Sequence, residues 1–235
     1  MGKRFSIIIP VLHEAAGINE LLCHLGCLEG VGLCETLVVD GSSDQDTLGA
    51  IRAGGIIRLA AAPGRAGQMN AGAAAASGDI LIFLHADTRL PADALLLISR
   101  AMKGSAYWGG AFSLGISSGR WIYRLIARTA SWRSRLTRIP YGDQAIFVRR
   151  DIFRKLGGYP AIPIMEDVAL MRQIKKEGGR ITIIPCPVAT SPRRWEREGV
   201  LYATLRNWLL LAVYLSGGSP DKLARYYEAP LNEHK

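Results

Sequence analysis

Short, uninterrupted runs of apolar residues recur through the first hundred positions, separated by stretches with helical spacing. The runs have the length of strands buried on both faces, and they cover residues 6–11, 36–39, 56–59 and 80–84. Helical patterns lie between them, ending near Cys27 and covering 47–53 and 66–76, and a further helix is expected to begin at Pro91. This alternation is typical of a parallel sheet with right-handed crossovers. The first half of the chain therefore predicts an α/β fold.

The second half has a less regular pattern. It predicts strands at 109–114 and 144–148 and helices at 120–135, 165–176, 200–215 and 220–227. The 235 residues show neither an internal repeat nor a linker, and that length suits one α/β domain with appendages. We expect a single domain over residues 1–196 and a helical C-terminal extension over 197–235, packed on the domain, a membrane or a partner.

Acidic residues follow several of the predicted strands. Ligands of open α/β sheets bind outside the carboxyl ends of the strands, where the sequence places His13-Glu14, Asp40 to Asp44 and His85-Ala-Asp87. If Asp40, Asp44, Asp46 and Asp87 converge there, a divalent cation would offset their repulsion. Mg²⁺ or Mn²⁺ suits such oxygen ligands, and His85 is an acceptable extra ligand for Mn²⁺. The alternative is that each Asp caps the next turn.

Two further segments carry candidate chemistry. The glycines of 64–72 would let the backbone approach a phosphate at a helix N-terminus, and Arg65 adds a fixed charge. This segment has neither P-loop nor dinucleotide-fingerprint spacing. Glu166 and Asp167 open the helix predicted from 165, where stabilisation by the helix dipole is the alternative to a catalytic role.

Charge is concentrated in one stretch of the chain. The net charge is +9, and residues 120–138 hold six arginines and no acidic residue. A basic surface suits phosphate in a nucleotide, a nucleic acid or a lipid headgroup, and the positive charge alone does not distinguish these three. The four cysteines give no zinc-binding pattern. We expect no signal peptide, and the longest apolar run, Trp208–Leu215, is about half of a membrane-spanning helix. A cytoplasmic protein is expected, with contact to the inner membrane face left open.

Five motifs in the same order resemble family-2 glycosyltransferases of the GT-A type, from Ser6 to about Tyr227. They lie at residues 7–14, 38–44, 67–72, 78–87 and 166–167. Residues 65–72, 84–88, 141–144, 163–168 and 193–195 are more closely similar to a bacterial subgroup associated with radical-SAM neighbours and arsenosugar biosynthesis. The fold implied is a mostly parallel sheet flanked by helices, and the activity implied is inverting transfer from a nucleotide-diphosphate sugar, with a UDP-sugar favoured.

The resemblance also implies roles for single residues. Asp167 matches the general base, and Asp87 matches the final Asp of the Asp-x-Asp motif that holds Mn²⁺ or Mg²⁺ on the donor diphosphate. The implied nucleotide-sugar site comprises Pro10, Leu12, Glu14, Asp40, Arg65, Gln68, Asn70, His85, Arg194 and Trp195.

Two positions depart from the family pattern. His85 replaces the first Asp of Asp-x-Asp, which puts the identity of the metal in doubt more than its use. Arg193-Arg194-Trp195 resembles the Arg-Trp element of processive members without the preceding Gln pair. This segment would bind the diphosphate or the acceptor, or else form a solvated basic loop.

Two other functions share features of this sequence. A nucleotidyltransferase would carry a Gly-rich, basic signature directly after the first strand, where this chain has Pro10 to Glu14. A nucleotide-binding, membrane-surface protein without transfer activity would use the aromatic and basic stretch 120–138. No nucleic-acid recognition motif accompanies that stretch, so nucleic acid is not an expected partner. The acceptor, a lipid or a small metabolite, stays open.

Overall fold

A seven-stranded sheet forms the centre of the computed structural model, which describes residues 4–227. The strand order is β3-β2-β1-β4-β7-β6-β8, and every neighbouring pair is parallel except those that β7 makes with β4 and β6. The strands are β1 (Phe5–Val11), β2 (Cys34–Asp40), β3 (Ile56–Ala60), β4 (Ile80–Phe83), β6 (Tyr107–Ser113), β7 (Phe147–Arg149) and β8 (Arg180–Pro187). The expected mostly parallel α/β fold is confirmed.

Ten helices surround the sheet in the described residues. They are α1 (Ile18–Gly26), α2 (Asp46–Ala50), α3 (Arg65–Ala75), α4 (Ala94–Ala101), α5 (Trp121–Thr137), α6 (Arg150–Lys155), α7 (Glu166–Lys176), α8 (Arg193–Glu198), α9 (Val200–Leu215) and α10 (Pro220–Tyr227). Two short 3₁₀ turns cover Val31–Leu33 and Gly142–Gln144. The expected helical C-terminal tail is present in α9 and α10.

Burial on both faces explains the uninterrupted apolar pattern of β1. Ile7 and Ile9 pack into the cluster that includes α1 and α4, whereas Ile8 packs with α3 on the opposite face. All three side chains are at most 1% exposed. Since alternate residues of a strand point to opposite faces, apolar residues at every position are needed when helices cover both.

A second, two-stranded sheet joins the C-terminal part of the chain to the strand-end edge. β5 (Thr88–Arg89) pairs antiparallel with β9 (Ala189–Thr190), and the N–H of Ser191 donates to the carbonyl of Asp87 at 3.0 Å. The apolar pattern does not predict β5, β8, β9, α6 or α8. These elements decide where the chain after residue 190 enters the site.

The C-terminal helices contact the main domain through a small apolar cluster. Leu210 of α9 and Leu223 and Ala224 of α10 pack with Ile164, which precedes α7. Within residues 4–227, none of the helices combines the length and the apolar character that crossing a membrane requires.

Candidate functional site

Two adjoining cavities lie at the carboxyl ends of the strands. The larger, called the groove here, has a volume of about 950 Å³ and is bordered by residues 10–12, Glu14, 61–68 and 161–164. The smaller, called the inner cavity, has a volume of about 240 Å³. Six residues line both: Arg65, His85, Asp87, Pro163, Ile164 and Tyr227.

The groove follows the end of β1 and the start of α3. Pro10, Leu12 and Glu14 line one side, with Leu12 half-exposed, and residues 61–68 line the other. Gly64 has a φ of 130°, a conformation that favours glycine, and it allows the chain to turn sharply into α3. Six of the expected nucleotide residues are brought to this groove: Pro10, Leu12, Glu14, Arg65, Gln68 and His85.

Gln68 also borders the groove, but its amide is used to hold the strands. Nε2 donates to the carbonyls of Val11 and Val39 at 2.7 and 2.8 Å, and the residue is 4% exposed. These bonds connect the ends of β1 and β2 to α3. Gln68 therefore shapes the wall of the groove.

Asn70 lies outside the lining of both cavities. Its Nδ2 donates to the carbonyl of Tyr159 at 2.8 Å and its Oδ1 accepts from the N–H of Tyr159 at 2.9 Å. Both polar atoms of the amide are thus engaged with a backbone 89 residues away. Asn70 was expected along the nucleotide. In the structure it pairs with the backbone of Tyr159 instead and fixes the loop before α7.

Asp40 is fully buried at the end of β2. Its Oδ1 accepts from the N–H and the hydroxyl of Ser42 at 2.8 and 2.7 Å, and its Oδ2 accepts from the N–H of Leu48 at 3.3 Å. This is the turn-capping arrangement that was the alternative for this residue. Asp40 lines neither cavity.

The four aspartates expected to converge are not gathered in one site. Asp87 alone of the four lines the cavities, whereas Asp44 and Asp46 lie with His13, their ligand atoms all within 4.8 Å of one another. His13 and Asp44 are exposed. The expectation of one four-carboxylate cluster is wrong, since the turn after β2 directs its acids away from the end of β4.

Asp87 and His85 lie where the groove meets the inner cavity. Burial raises the pKa of the Asp87 carboxyl, Arg193 lowers it and Glu14 raises it further, with a net shift upward. Burial and the nearby Arg65 and Arg194 guanidiniums lower the pKa of His85 to about 3. The imidazole is therefore neutral, with a lone pair available on one ring nitrogen.

Asp167 lines the inner cavity from the first turn of α7. Its Oδ2 accepts from the N–H of Gly142 at 2.6 Å, and its Oδ1 accepts from the N–H of Val168 at 2.7 Å. Next to it, Glu166 is buried and lies 3.5 Å from the guanidinium of Arg65. Burial and the Asp167 charge raise the pKa of Glu166. Both residues line the inner cavity, and they differ because Glu166 is paired with Arg65 whereas Asp167 is held by two backbone N–H groups.

The Arg-Arg-Trp segment enters the site on α8. Arg193 forms an ion pair with Glu14 at 2.8 Å, across the end of the groove. Arg194 and Trp195 line the inner cavity, and the guanidinium of Arg194 lies 4.1 Å from the ring centroid of Tyr227 and donates to its hydroxyl. The segment is therefore part of the site and not a solvated loop.

Several lining residues have no counterpart among the expected site residues. Tyr141 and Asp143 come from the turn that precedes β7, Asn207 from α9 and Tyr227 from α10. Burial, aided by the Asp167 charge, raises the pKa of Asp143 to about 6, and burial raises the pKa of Tyr141 to about 12. Tyr141 and Asp143 lie in the motif at 141–144, so the sequence resemblance already pointed to them. Asn207 and Tyr227 lie in helical patterns that carry no such signal.

Comparison with known proteins identifies one family. Residues 6–157 match the model described as glycosyl transferase family 2. No curated protein sequence matches the chain.

Solved structures share the fold at low sequence identity. They include the S. aureus TarS fragment 1–349 (TM-score 0.64, 17% identity, covering 80% of this chain and 61% of that fragment). A mannosyltransferase, PcManGT from Pyrobaculum calidifontis with GDP-Man and Mn²⁺, has a TM-score of 0.66 and 19% identity over 94% of this chain and 67% of its own. Glucosyl-3-phosphoglycerate synthase from Mycobacterium tuberculosis with Mn²⁺, UDP and phosphoglyceric acid has a TM-score of 0.62 and 21% identity, covering 92% and 80%. The chain thus spans about three fifths of the TarS fragment that it matches.

Proposed function

Because the chain belongs to glycosyl transferase family 2, we propose that it transfers a sugar from a nucleotide-diphosphate sugar to an acceptor hydroxyl, with inversion at the anomeric carbon. One observation carries the proposal: Asp87 and Asp167 line the same inner cavity, and that cavity opens into a groove of nucleotide size. Asp87 would act at the leaving diphosphate, and Asp167 would act at the attacking hydroxyl.

The groove is the proposed donor site. Pro10, Leu12 and Glu14 would contact the nucleoside, and Arg65 would lie along the diphosphate. Asp40, Gln68 and Asn70 would hold the walls of the groove in position, because their side chains form hydrogen bonds within the protein. A TarS structure contains UDP-GlcNAc and the glucosyl-3-phosphoglycerate synthase structure contains UDP. PcManGT contains GDP-Man, so these complexes support a nucleotide-sugar donor, and we propose a UDP-sugar.

The residues at the junction fit a divalent cation. Burial and Glu14 disfavour the charged form of Asp87, and a cation bound there by this carboxylate and by the neutral ring of His85 would offset that cost. This set matches the habit of Mg²⁺ and Mn²⁺ of binding one or two carboxylates together with substrate phosphates. We assign Asp87 as the ligand of Mn²⁺ or Mg²⁺ and His85 as a contact to metal or nucleotide. When bound, the metal would stabilise negative charge on the departing diphosphate.

Asp167 is the proposed general base. It would accept the proton of the acceptor hydroxyl while that oxygen bonds to the anomeric carbon and the bond to the diphosphate breaks, its electron pair leaving with the nucleotide. The N–H of Gly142 holds Oδ2 in place, and a positioned base contributes about 10²–10⁴-fold in rate. A single displacement inverts the anomeric centre.

The C-terminal part completes the site. We propose that the extension expected over 197–235, of which 228–235 lie outside the described residues, belongs to the domain 1–196, because Asn207 and Tyr227 close the inner cavity from α9 and α10. We also propose membership of the bacterial subgroup associated with radical-SAM neighbours and arsenosugar biosynthesis, because its motif at 141–144 supplies Tyr141 and Asp143 to the same cavity.

Exposed apolar side chains support a peripheral membrane contact. Those on α5 and α9 are Trp121, Leu125, Trp132, Leu136, Leu201, Leu205, Trp208 and Leu209, each at least 49% exposed. The arginines of α5 would add attraction to anionic headgroups. Sedimentation with vesicles of neutral or anionic lipid tests this contact. Equal recovery of the protein in the supernatant with both kinds of vesicle contradicts it.

The central experiment is a thermal-shift panel of UDP, GDP, TDP and their sugars, with and without Mn²⁺. Stabilisation follows donor affinity, so one base should raise the melting temperature more than the others and do so more strongly with Mn²⁺. A flat response to every nucleotide would contradict the proposed function.

A further inference from the structure

The inner cavity contains buried polar atoms that have no partner in the described part of the chain. They are the hydroxyl of Tyr141, Oδ1 of Asp143 and Oδ1 of Asn207, whereas Nε of Arg194 is paired with Glu198 at 3.4 Å. A buried polar atom without a hydrogen bond costs about 1–3 kcal/mol. Three such atoms around one cavity therefore indicate that a bound molecule supplies the partners.

Their chemistry limits what that molecule is. Oδ1 of Asn207 is an acceptor, Oδ1 of Asp143 is only an acceptor when the carboxyl is ionised, and the tyrosine hydroxyl both donates and accepts. The oxygens of a phosphate monoester are mostly acceptors, so they would form no hydrogen bonds with these acceptor oxygens. A sugar or polyol brings hydroxyl groups that donate to both, so the atoms favour a neutral, hydroxyl-rich ligand.

The size and the other walls agree with a small ligand. The cavity of about 240 Å³ lies below the range of about 300–1,000 Å³ common for drug-sized molecules. Trp195 presents an apolar ring to it, held by an edge-to-face contact with Tyr123 at 6.2 Å between ring centroids. An apolar ring next to a few fixed polar atoms suits the C–H face and the hydroxyl rim of a sugar.

The turn that carries Tyr141 and Asp143 is rigidly held. Gln144 is fully buried, donates from Nε2 to the carbonyl of Phe112 at 2.8 Å and accepts at Oε1 from the hydroxyl of Ser134 at 2.7 Å. The Arg133 guanidinium lies 3.4 Å from the ring centroid of Tyr141. A turn fixed in this way presents its polar atoms in one geometry, as selection among acceptors requires.

We propose that the inner cavity is the acceptor site and selects a small, neutral, polyhydroxylated acceptor through Tyr141, Asp143 and Asn207. The proposal rests on the proposed function and adds the acceptor class to it. Asp167 lines the same cavity but not the groove, so a hydroxyl held by these three residues lies beside the proposed base. A lipid-phosphate acceptor is thereby disfavoured.

The first test is turnover of UDP-glucose, UDP-GlcNAc and GDP-mannose with Mn²⁺ by the full chain. The added compounds are glycerol, D-glucose, myo-inositol and D-ribose, a phosphorylated acceptor (3-phosphoglycerate) and a polyprenyl phosphate in detergent. Faster nucleotide release with a neutral polyol or sugar supports the proposal. Release that responds only to the two phosphates, or to none of the compounds while a donor binds, overturns it. Failure of every donor to bind contradicts the proposed function instead.

The second test uses variants that remove single polar atoms. Tyr141→Phe and Asn207→Leu should each raise the KM for the responding acceptor about three- to tenfold, and Asp143→Ala about tenfold or more, as expected for lost neutral and charged hydrogen bonds. UDP affinity, measured by calorimetry, should change less than twofold. Tyr226→Phe removes the same hydroxyl from an exposed residue outside both cavities and should match the parent. Unchanged acceptor KM, or an equal loss of UDP affinity, overturns the assignment.

Discussion

The N–H of Gly142 donates a 2.6 Å hydrogen bond to Oδ2 of Asp167. The bond connects the 3₁₀ turn before β7 to the first turn of α7, and it sets the direction of the proposed base without using a side chain. It also leaves Asp167 exposed to the inner cavity, where Asp87 lies as well. Several predictions about activity depend on this arrangement.

Asp167→Asn should abolish sugar transfer while nucleotide binding is kept. The amide does not accept a proton at neutral pH, so the loss should be about 10²–10⁴-fold in kcat, whereas the groove contacts are unchanged. Initial-rate assays and calorimetry with UDP measure the two effects. Asp151→Asn, an exposed acid on α6, is the matched control and should be as active as the parent. Turnover of the Asp167 variant at the parent rate would remove the base assignment.

Gly142→Ala should lower activity with little effect on folding. A Cβ at this position would lie 2.8 Å from Nε2 of His85 and 3.5 Å from Oδ2 of Asp167, so the imidazole must shift. Displacement of a catalytic group by about 1 Å costs as much as about a hundredfold in rate. Gly26→Ala, where a Cβ meets no atom within 4 Å, is the control. Equal kcat values for both variants would show that Gly142 is not a close support of the site.

Asp87→Ala should remove the dependence of nucleotide affinity on Mn²⁺. Calorimetric titration of UDP with and without Mn²⁺ should show tighter binding with the metal for the parent and equal binding for the variant. Asp46→Ala tests the surface group of His13, Asp44 and Asp46 and should retain the metal response. If Asp46→Ala loses that response and Asp87→Ala keeps it, the metal has been assigned to the wrong end of the sheet.

Asn70→Ala should destabilise the protein. It leaves the N–H and carbonyl of Tyr159 without the partners seen at 2.9 and 2.8 Å, at a cost of about 1–3 kcal/mol in the free energy of unfolding. Asn70→Asp keeps an acceptor for the N–H but sets a carboxylate oxygen against the Tyr159 carbonyl, so it should not recover the lost stability. Urea denaturation gives both values. A full loss of nucleotide affinity with unchanged stability would instead return Asn70 to the nucleotide site.

Asp143→Asn should stabilise the protein at pH 8 but not at pH 3.5. Burial raises the pKa of Asp143 to about 6 from a usual value of 3.8, so the native state binds its proton more tightly than the unfolded chain does. Stability from this carboxyl is therefore present below about 3.8 and is lost as the pH rises to about 6. The neutral amide avoids that loss. Urea denaturation of both proteins at the two pH values measures the difference, and the same gain at each pH would contradict the charge explanation.

Local pattern determined much of the fold. Apolar runs without alternation predict β1, β2 and β4 because helices cover both faces of the sheet, and acids directly after strands place the site at the carboxyl edge. The helices at 121–137, 166–176 and 200–215 also follow from spacing alone. The pattern does not predict β5, β8 or β9, because pairs such as Thr88 with Thr190 are between residues a hundred positions apart.

Only the tertiary structure decided which polar side chains face the cavities. Asp40 and Asp87 both follow buried strands, yet the turn after β2 gives Asp40 three hydrogen-bond donors, whereas Asp87 stays at the junction of groove and inner cavity. The position of Arg194 depends on the pairing of β5 with β9, and that of Asn207 on the packing of α9. Sequence determines which residue types follow each strand, and long-range pairing and packing determine the direction in which their side chains point.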